Sequence, residues 1–309
     1  MPTNSPKNID YVVNATELNL RREPAIDPEN ILVRLPGGHR VRRLEPAPIP
    51  NAPDWWRVMT TVHNTDLEGF TCHRFLVPAD QFNPPPPHNR ISEVHLTTSQ
   101  PILRGETRGR AFPLNEGGQP RRTGTTQAAR TAELGRIIQW LDVEQNARYL
   151  PIPGTTFCNI YTFDFCCLAN VYIPRVWWTA TAIAQLMAGQ AVTPAYGVSV
   201  TEKNANNLYD WFNEFGPGFG WARSFDLNDL QRAANHGQVV VICAQRRDLN
   251  RSGHICLVVP ETSEHRATRS GGEVTIPLQS QAGANNFRYG GRRWWTGEEF
   301  GGFGFWKHR

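Results

Sequence analysis

Two stretches of this chain decide its fold: residues 153–161, which read PGTTFCNIY, and residues 252–259, which read SGHICLVV. In the first, a Pro-Gly turn gives way to an apolar run typical of a buried helix that begins near Cys158. In the second, a glycine precedes His254, and the apolar run after it predicts a core strand. The sequence therefore predicts a thiol at a helix N-terminus and an imidazole at the start of a strand.

These residue types suit nucleophilic thiol chemistry. A thiol attacks as its thiolate, and both a helix N-terminus and a nearby imidazolium lower its pKa. Thr155 or Thr156 can cap the helix, and its free N–H groups, helped by Asn159, can hold an oxyanion. His254 would act first as base and then as acid. Alone, Cys158 is better explained by an ordinary buried thiol. Its position beside Asn159 in the first turn, directly after the Gly-Thr-Thr-Phe segment, favours the catalytic interpretation, and the combination with His254 strengthens it.

The rest of the second half of the chain predicts helices first and strands later. This order favours an α+β domain with helices packed on an antiparallel sheet. Apolar spacing with helix start and stop signals predicts helices at residues 128–141, 204–215 and 228–235, besides the one near Cys158. Strands are predicted at residues 239–244, 254–259 and 274–281.

Residues 10–78 alternate short strands with Pro, Gly and Asn turns, which predicts a small all-β barrel. The segments LNLRREP at 18–24, LPGG at 35–38, WWRV at 55–58 and EGF at 68–70 follow one another in this order. In that order they resemble a bacterial Src-homology-3-like domain, and the resemblance implies binding to cell-wall peptides or glycans. A purely structural barrel is the alternative. The predicted domains are 10–80 for this barrel, 81–126 for a proline-rich linker and irregular segment, and 127–309 for the remainder.

Residues 127–309 resemble the NlpC-type and CHAP (cysteine, histidine-dependent amidohydrolase/peptidase) superfamily. The resemblance rests on Cys158, on His254 and on the leucine-and-glycine turn into a strand at 229–241. It implies a papain-like fold and cleavage of an amide bond by a cysteine nucleophile.

The chain departs from that superfamily at the residue that orients the histidine. Its members usually place Glu and Asn two residues apart on the strand after the histidine, and here Gln279 and Gln281 stand in those places. Alternation puts both on one face of the strand. Pairing of Val259 with Val274 would set Gln279 opposite His254, which makes Gln279 the first choice. Two solvated glutamines on a sheet edge remain the alternative.

Two tryptophan pairs stand beside turns. Trp177 and Trp178, and likewise residues 294–295, are candidates to line a cleft for a sugar-peptide substrate. Core packing explains each pair equally well.

Composition sets wider limits. The formal net charge of +4 and the pI of about 8.8 suit an anionic surface such as a cell-wall polymer, but are too weak to indicate nucleic acid. The six cysteines show no metal-ligand spacing, so we expect no metal, no cofactor and folding in a reducing compartment. No apolar run has membrane-spanning length, and the N-terminal residues contain no secretory h-region. We therefore expect a monomer made in the cytoplasm that reaches the wall or periplasm after release or injection.

The sequence thus predicts a peptidoglycan hydrolase, either a stem-peptide endopeptidase or an N-acetylmuramoyl-L-alanine amidase. The expected setting is that of an antibacterial, phage-type endolysin or of an injected effector. One alternative is a cysteine peptidase or deamidase that acts on a protein. The other is a catalytically inactive protein with a wall-binding or virion structural role.

Overall fold

The computed structural model describes residues 10–15, 17–45, 47–62, 65–82 and 91–309. The chain divides into two compact units, Met1–Pro87 and His88–Arg309. The predicted polyproline spacer at residues 84–87 lies outside the described residues.

The described part of the first unit is all-β. Its seven strands form one antiparallel sheet in the order β3-β2-β6-β5-β4-β1-β7. A side chain at Gly69 would come within 2.6 Å of the Arg21 carbonyl oxygen, so glycine permits β2 and β6 to pair there. The strands are β1 (Asp10–Val13), β2 (Glu17–Arg21), β3 (Ile31–Pro36), β4 (Arg40–Arg43), β5 (Trp55–Val62), β6 (Thr65–Cys72) and β7 (Leu76–Pro78).

The second unit combines helices with antiparallel sheets, so the predicted α+β class is confirmed. The names papain-like and Src-homology-3-like stay predictions. The helices are α1 (Gln127–Leu141), α2 (Cys158–Leu168), α3 (Ala180–Met187), α4 (Ala205–Glu214) and α5 (Leu227–Asn235). The strands are β8 (Val176–Trp178), β9 (Val200–Glu202), β10 (Ala222–Ser224), β11 (Val239–Arg246), β12 (His254–Val258), β13 (Thr268–Ser270), β14 (Glu273–Ile276), β15 (Gln279–Gln281), β16 (Phe287–Gly290) and β17 (Phe300–His308).

The main sheet of this unit has six strands in the order β10-β17-β11-β12-β15-β16. Alternate residues of β11 are buried on opposite faces, since Val241 packs with α2 and α4 residues while Ile242 packs with α5 residues. The apolar run of β11 is therefore continuous because both faces are covered.

Helix α2 lies against β12 and is buried nearly all round. Its one acidic residue, Asp164, accepts bonds from the Arg148 guanidinium at 2.6 and 3.2 Å and from the Tyr149 hydroxyl at 3.0 Å. Arg148 and Asp164 are both fully buried, so each charge depends on the other for compensation.

The predicted boundary at residue 127 is corrected by the structure. Residues 91–126 contain no helix or strand, yet they belong to the second unit. Ile91, Val94, Ile102 and Leu114 are buried in its core, and Arg148 donates to the Phe112 carbonyl oxygen at 2.8 Å. These apolar anchors are irregularly spaced, which is why the sequence pattern concealed them.

The predicted strand at 274–281 is also corrected. Pro277 interrupts it, because proline has no N–H to give to the ladder. The first part, β14, pairs with β13 in a separate hairpin, and only β15 joins the main sheet beside β12.

Candidate active site

Cys158 is the first residue of α2 and is 4% exposed. The residue before it, Phe157, is the N-cap, and no side chain caps the helix. The predicted cap by Thr155 or Thr156 is therefore wrong. Thr155 instead exchanges backbone hydrogen bonds with Ile152 in a tight turn at Gly154, whose φ is +75°. The first-turn N–H groups of α2 are left free of side-chain caps and stand next to the sulfur.

His254 is the first residue of β12. The loop that leads into it from β11 is held by hydrogen bonds to one side chain of α4. Asn206 of α4, 3% exposed, donates to the carbonyl oxygen of Arg251 at 2.8 Å and accepts from the N–H of Arg246 at 2.9 Å. A side chain at Gly253 would approach the Ala244 carbonyl oxygen to 2.3 Å, so only glycine fits before the histidine. Sequence reasoning missed Asn206; the glycine before His254 was the available signal of close packing.

Gln281 is the residue that bonds the imidazole. Its Oε1 lies 2.8 Å from Nε2 of His254, and its Nε2 donates to the Asn285 carbonyl oxygen at 3.1 Å. Because the amide nitrogen is engaged by a carbonyl, the amide oxygen must face the histidine, which makes His254 Nε2 the N–H donor. Nδ1 is then the ring nitrogen left for the thiol.

Gln279, the first choice from sequence, lies elsewhere. β12 and β15 pair Val258 with Gln279, four residues away from the predicted partner His254. Gln279 is fully buried and accepts from the indole N–H of Trp294 at 3.1 Å. The predicted register was wrong because it started from Val274, which belongs to the other hairpin.

The electrostatics of Cys158 and His254 point to an ion pair. Burial raises the pKa of the Cys158 thiol, but the hydrogen bond and charge of His254 and the N–H groups of Ile255 and Asn159 outweigh it, and the pKa lies below its ordinary value. Burial lowers the pKa of His254, but its bonds to Cys158 and Gln281 outweigh that, and the pKa is raised. A lowered thiol pKa and a raised imidazole pKa together favour thiolate and imidazolium.

The other cysteines of this unit differ from Cys158 in the direction of their pKa shift. Burial raises the pKa of each of these thiols above its ordinary value. They are Cys166, Cys167, Cys243 and Cys256. Cys158 is thus the thiol of the second unit that is set up to ionise.

A buried hydrogen bond links α2 to β15. The Tyr161 hydroxyl of α2 lies 2.6 Å from the Ser280 hydroxyl of β15. Tyr161 is one helical turn beyond Cys158, and Ser280 is the neighbour of Gln281. Cys158 and Gln281 are therefore held in a fixed relation by residues that stand next to them.

The structure places the remaining predicted site residues partly in the core and partly at the edge of the site. Asn159 donates its side-chain amide to the Lys203 carbonyl oxygen at 2.8 Å, so its backbone N–H, not its side chain, serves the sulfur. Trp177 and Trp178 are 2% and 4% exposed in the core, which contradicts a substrate-binding role. Trp294 instead borders the site, since its ring lies edge-on to His254 with centroids 4.5 Å apart.

Within the described ranges, no three His, Cys, Asp or Glu side chains are grouped so that they could hold a metal ion. None of the described helices combines the length and apolar character needed to cross a membrane.

The similarity of this chain to known proteins is distant. No protein-family model and no curated protein matches the chain. Among solved structures, NlpC1 from Trichomonas vaginalis is similar with 10% identity and a TM-score of 0.25, over 99% of this chain and 71% of that one. NlpC2 from the same organism has 12% identity and a TM-score of 0.22, over 94% and 74%. Similarity at this level says nothing about the reaction. The argument for the chemistry therefore rests on the geometry of the site.

Gln281→Ala is expected to lower turnover by about 10- to 100-fold, less than His254→Ala, because the base remains but loses its orientation. Gln281→Glu keeps an oxygen acceptor and should recover most of the rate. The matched control is Gln279→Ala on the same strand, which should mainly lower the melting temperature. Steady-state kinetics on one soluble substrate compare these four variants with the wild-type protein. A greater rate loss for Gln279→Ala than for Gln281→Ala would contradict the assignment.

The two pKa shifts also predict a pH dependence. The thiolate forms above the lowered pKa of Cys158, and the imidazolium persists up to the raised pKa of His254. Alkylation of Cys158 by iodoacetamide should therefore begin at a pH below about 8.5, the ordinary value for a thiol. In His254→Ala the onset should move to higher pH, because burial remains and the imidazolium is gone. Mass spectrometry of the labelled peptide gives the rates; equal profiles for both proteins would exclude the pair.

Proposed function

We propose that this protein is a cysteine-dependent hydrolase of amide bonds whose substrate is bacterial peptidoglycan. The observation that carries the chemistry is the connected set Cys158, His254 and Gln281, in which the thiol and imidazole pKa values shift toward each other. Such a set is what nucleophilic catalysis by a thiol requires: a nucleophile, a base within hydrogen-bond reach and a group that orients the base.

The reaction follows from the positions of the groups. The Cys158 thiolate attacks the amide carbon, and the carbonyl oxygen becomes an oxyanion that the first-turn N–H groups of α2 stabilise. Collapse breaks the C–N bond while the His254 imidazolium gives its proton to the leaving amine, which leaves a thioester. His254, now neutral, takes a proton from water as the water attacks the thioester. Loss of the thiolate releases the acid and restores the ion pair.

Two features support peptidoglycan as the substrate. The all-β first unit carries the motif order that resembles wall-binding domains, and the mildly basic chain, with its pI of about 8.8, suits an anionic polymer. The bond cut would be one within the stem peptide or the one between N-acetylmuramic acid and L-alanine.

The test is digestion of purified peptidoglycan by the full chain, followed by mass analysis of the soluble fragments. A new free amine on a stem-peptide residue identifies an endopeptidase, and release of an intact stem peptide identifies an amidase. Cys158→Ala is the control. If the wild-type protein releases no fragments but hydrolyses a protein substrate, the peptidoglycan assignment is overturned and the amide chemistry stands.

The wall-binding role of the first unit has its own prediction. A chain limited to His88–Arg309 should hydrolyse soluble wall fragments at an unchanged rate, since the proposed catalytic residues lie within it. Its retention on intact walls should fall by about 100-fold, because tethering by a second module raises local concentration. Co-sedimentation with purified walls measures retention; equal sedimentation of the short and full chains would remove the binding role.

A further inference from the structure

A cavity lies on the other half of α2, away from Cys158. Its volume is about 430 Å³, and its walls come from the 91–126 segment, from α2 and from the residues after it. The α2 residues that line it begin at Asp164, and Leu168 stands about 15 Å along the helix axis from Cys158. A cavity of this size suits a small molecule.

The lining of this cavity combines charged groups of opposite sign with apolar side chains. Arg121 donates one N–H to the Cys167 carbonyl oxygen at 2.9 Å, and among the described residues its other N–H groups have no hydrogen-bond partner. Glu93 is 57% exposed, and its carboxylate lies 3.9 Å from Nε2 of the His95 ring. Leu114 and Leu168, both buried, are among its apolar lining residues, and the Asp164 carboxylate that also lines it is paired with Arg148.

We propose that this cavity binds a small zwitterion, a free amino acid or dipeptide with apolar side chains, whose carboxylate bonds Arg121 and whose ammonium group bonds Glu93. The guanidinium offers the planar donor pair that a carboxylate prefers, and the Glu93 carboxylate can accept from an ammonium group. Inorganic anions meet repulsion from Glu93, and simple cations meet repulsion from Arg121.

The histidine in the wall supports this choice of ligand. Burial lowers the pKa of His95, against the raising effect of Glu93, so the ring is neutral at neutral pH. A neutral ring can donate a hydrogen bond to Glu93 but does not neutralise the carboxylate, whose charge stays available to a ligand. The site is independent of the proposed hydrolysis, because Cys158 and His254 are not among its lining residues.

Calorimetric titration of the full-length Cys158→Ala protein with leucyl-leucine tests the proposal without turnover. We expect saturable binding, weakened about tenfold or more by Arg121→Gln and by Glu93→Gln. Leucyl-leucine amide, which lacks the carboxylate, and N-acetyl-leucyl-leucine, which lacks the ammonium group, should bind similarly weakly. The matched control is Arg136→Gln, a 68%-exposed arginine on α1, which should leave affinity unchanged.

Each contrary result overturns the inference. Absence of saturation up to about 10 mM removes the site. Equal affinity of the Arg121→Gln and parent proteins places the ligand elsewhere, including in the active site. Binding of both blocked dipeptides as tightly as leucyl-leucine excludes recognition of a zwitterion. None of these outcomes bears on peptidoglycan hydrolysis, which is measured separately with the wild-type chain.

Discussion

Replacing Cys158 with alanine is expected to abolish amide hydrolysis, a loss of at least about 10⁴-fold in kcat. The reason is that the covalent thioester cannot form, and the first-turn N–H groups of α2 alone provide only weak catalysis. The fold should persist, because the thiol is small and its removal leaves the core of α2 in place. Release of soluble fragments from purified walls measures the rate, and circular dichroism checks the fold.

Cys243→Ala is the matched control for this change. Cys243 is also buried in the core on the α2 side of the sheet, donates to the Ala205 carbonyl oxygen, and has a thiol pKa raised well above its ordinary value by burial. Its loss should lower the melting temperature while kcat stays near the wild-type value. The assignment of Cys158 as the nucleophile would be wrong if Cys158→Ala kept wild-type activity. It would also be wrong if Cys243→Ala were folded but inactive.

Asp164→Ala is expected to lower the free energy of unfolding by about 3–5 kcal/mol, because it leaves the Arg148 charge buried without its partner. Arg148 is 0% exposed and also donates to the Phe112 carbonyl oxygen, so it has no route to solvent without releasing the 91–126 segment. Urea unfolding measures the change.

Glu106→Ala provides the comparison for that experiment. Glu106 pairs with Arg108 at the surface, where an ion pair contributes less than about 1 kcal/mol. A loss of stability in Asp164→Ala no greater than that in Glu106→Ala would show that the buried pair is not needed for stability.

The parts of the fold that sequence could predict are those with a local signal. The helices α1, α4 and α5 follow from apolar spacing and from capping residues such as Thr126, Asn204 and Asp226. Cys158 and His254 could be selected because each lies where an apolar run begins. These features depend on a few neighbouring residues, which a sequence displays directly.

Register and long-range packing could not be predicted in the same way. The choice between Gln279 and Gln281 depends on which residue of β12 faces β15, and nothing local to the glutamines fixes that. Asn206 acts on a loop that follows it by some forty residues, so its role is visible only in three dimensions. The 91–126 segment lacks periodicity, although its buried residues belong to the core.

Strand β17 was missed for a different reason: its glycines lower its strand propensity. Residues 300–308 read FGGFGFWKH, and several alternate positions hold aromatic side chains that cover the sheet. Within a two-sided sheet, burial of these rings outweighs the weak intrinsic preference of glycine.

The place of β17 in the sheet has a consequence for biosynthesis. It lies between β10 and β11, and it pairs with β11 along the whole length of that strand, from Val239 to Arg246. Until residues 300–308 have left the ribosome, β11 lacks a neighbour on that side, and the sheet that carries His254 at the start of β12 is incomplete. Cys158 and His254 are therefore expected to come together only after β17 has been synthesised and has paired with β11. The candidate site would then form late in the synthesis of this unit, when the last of its described strands is added.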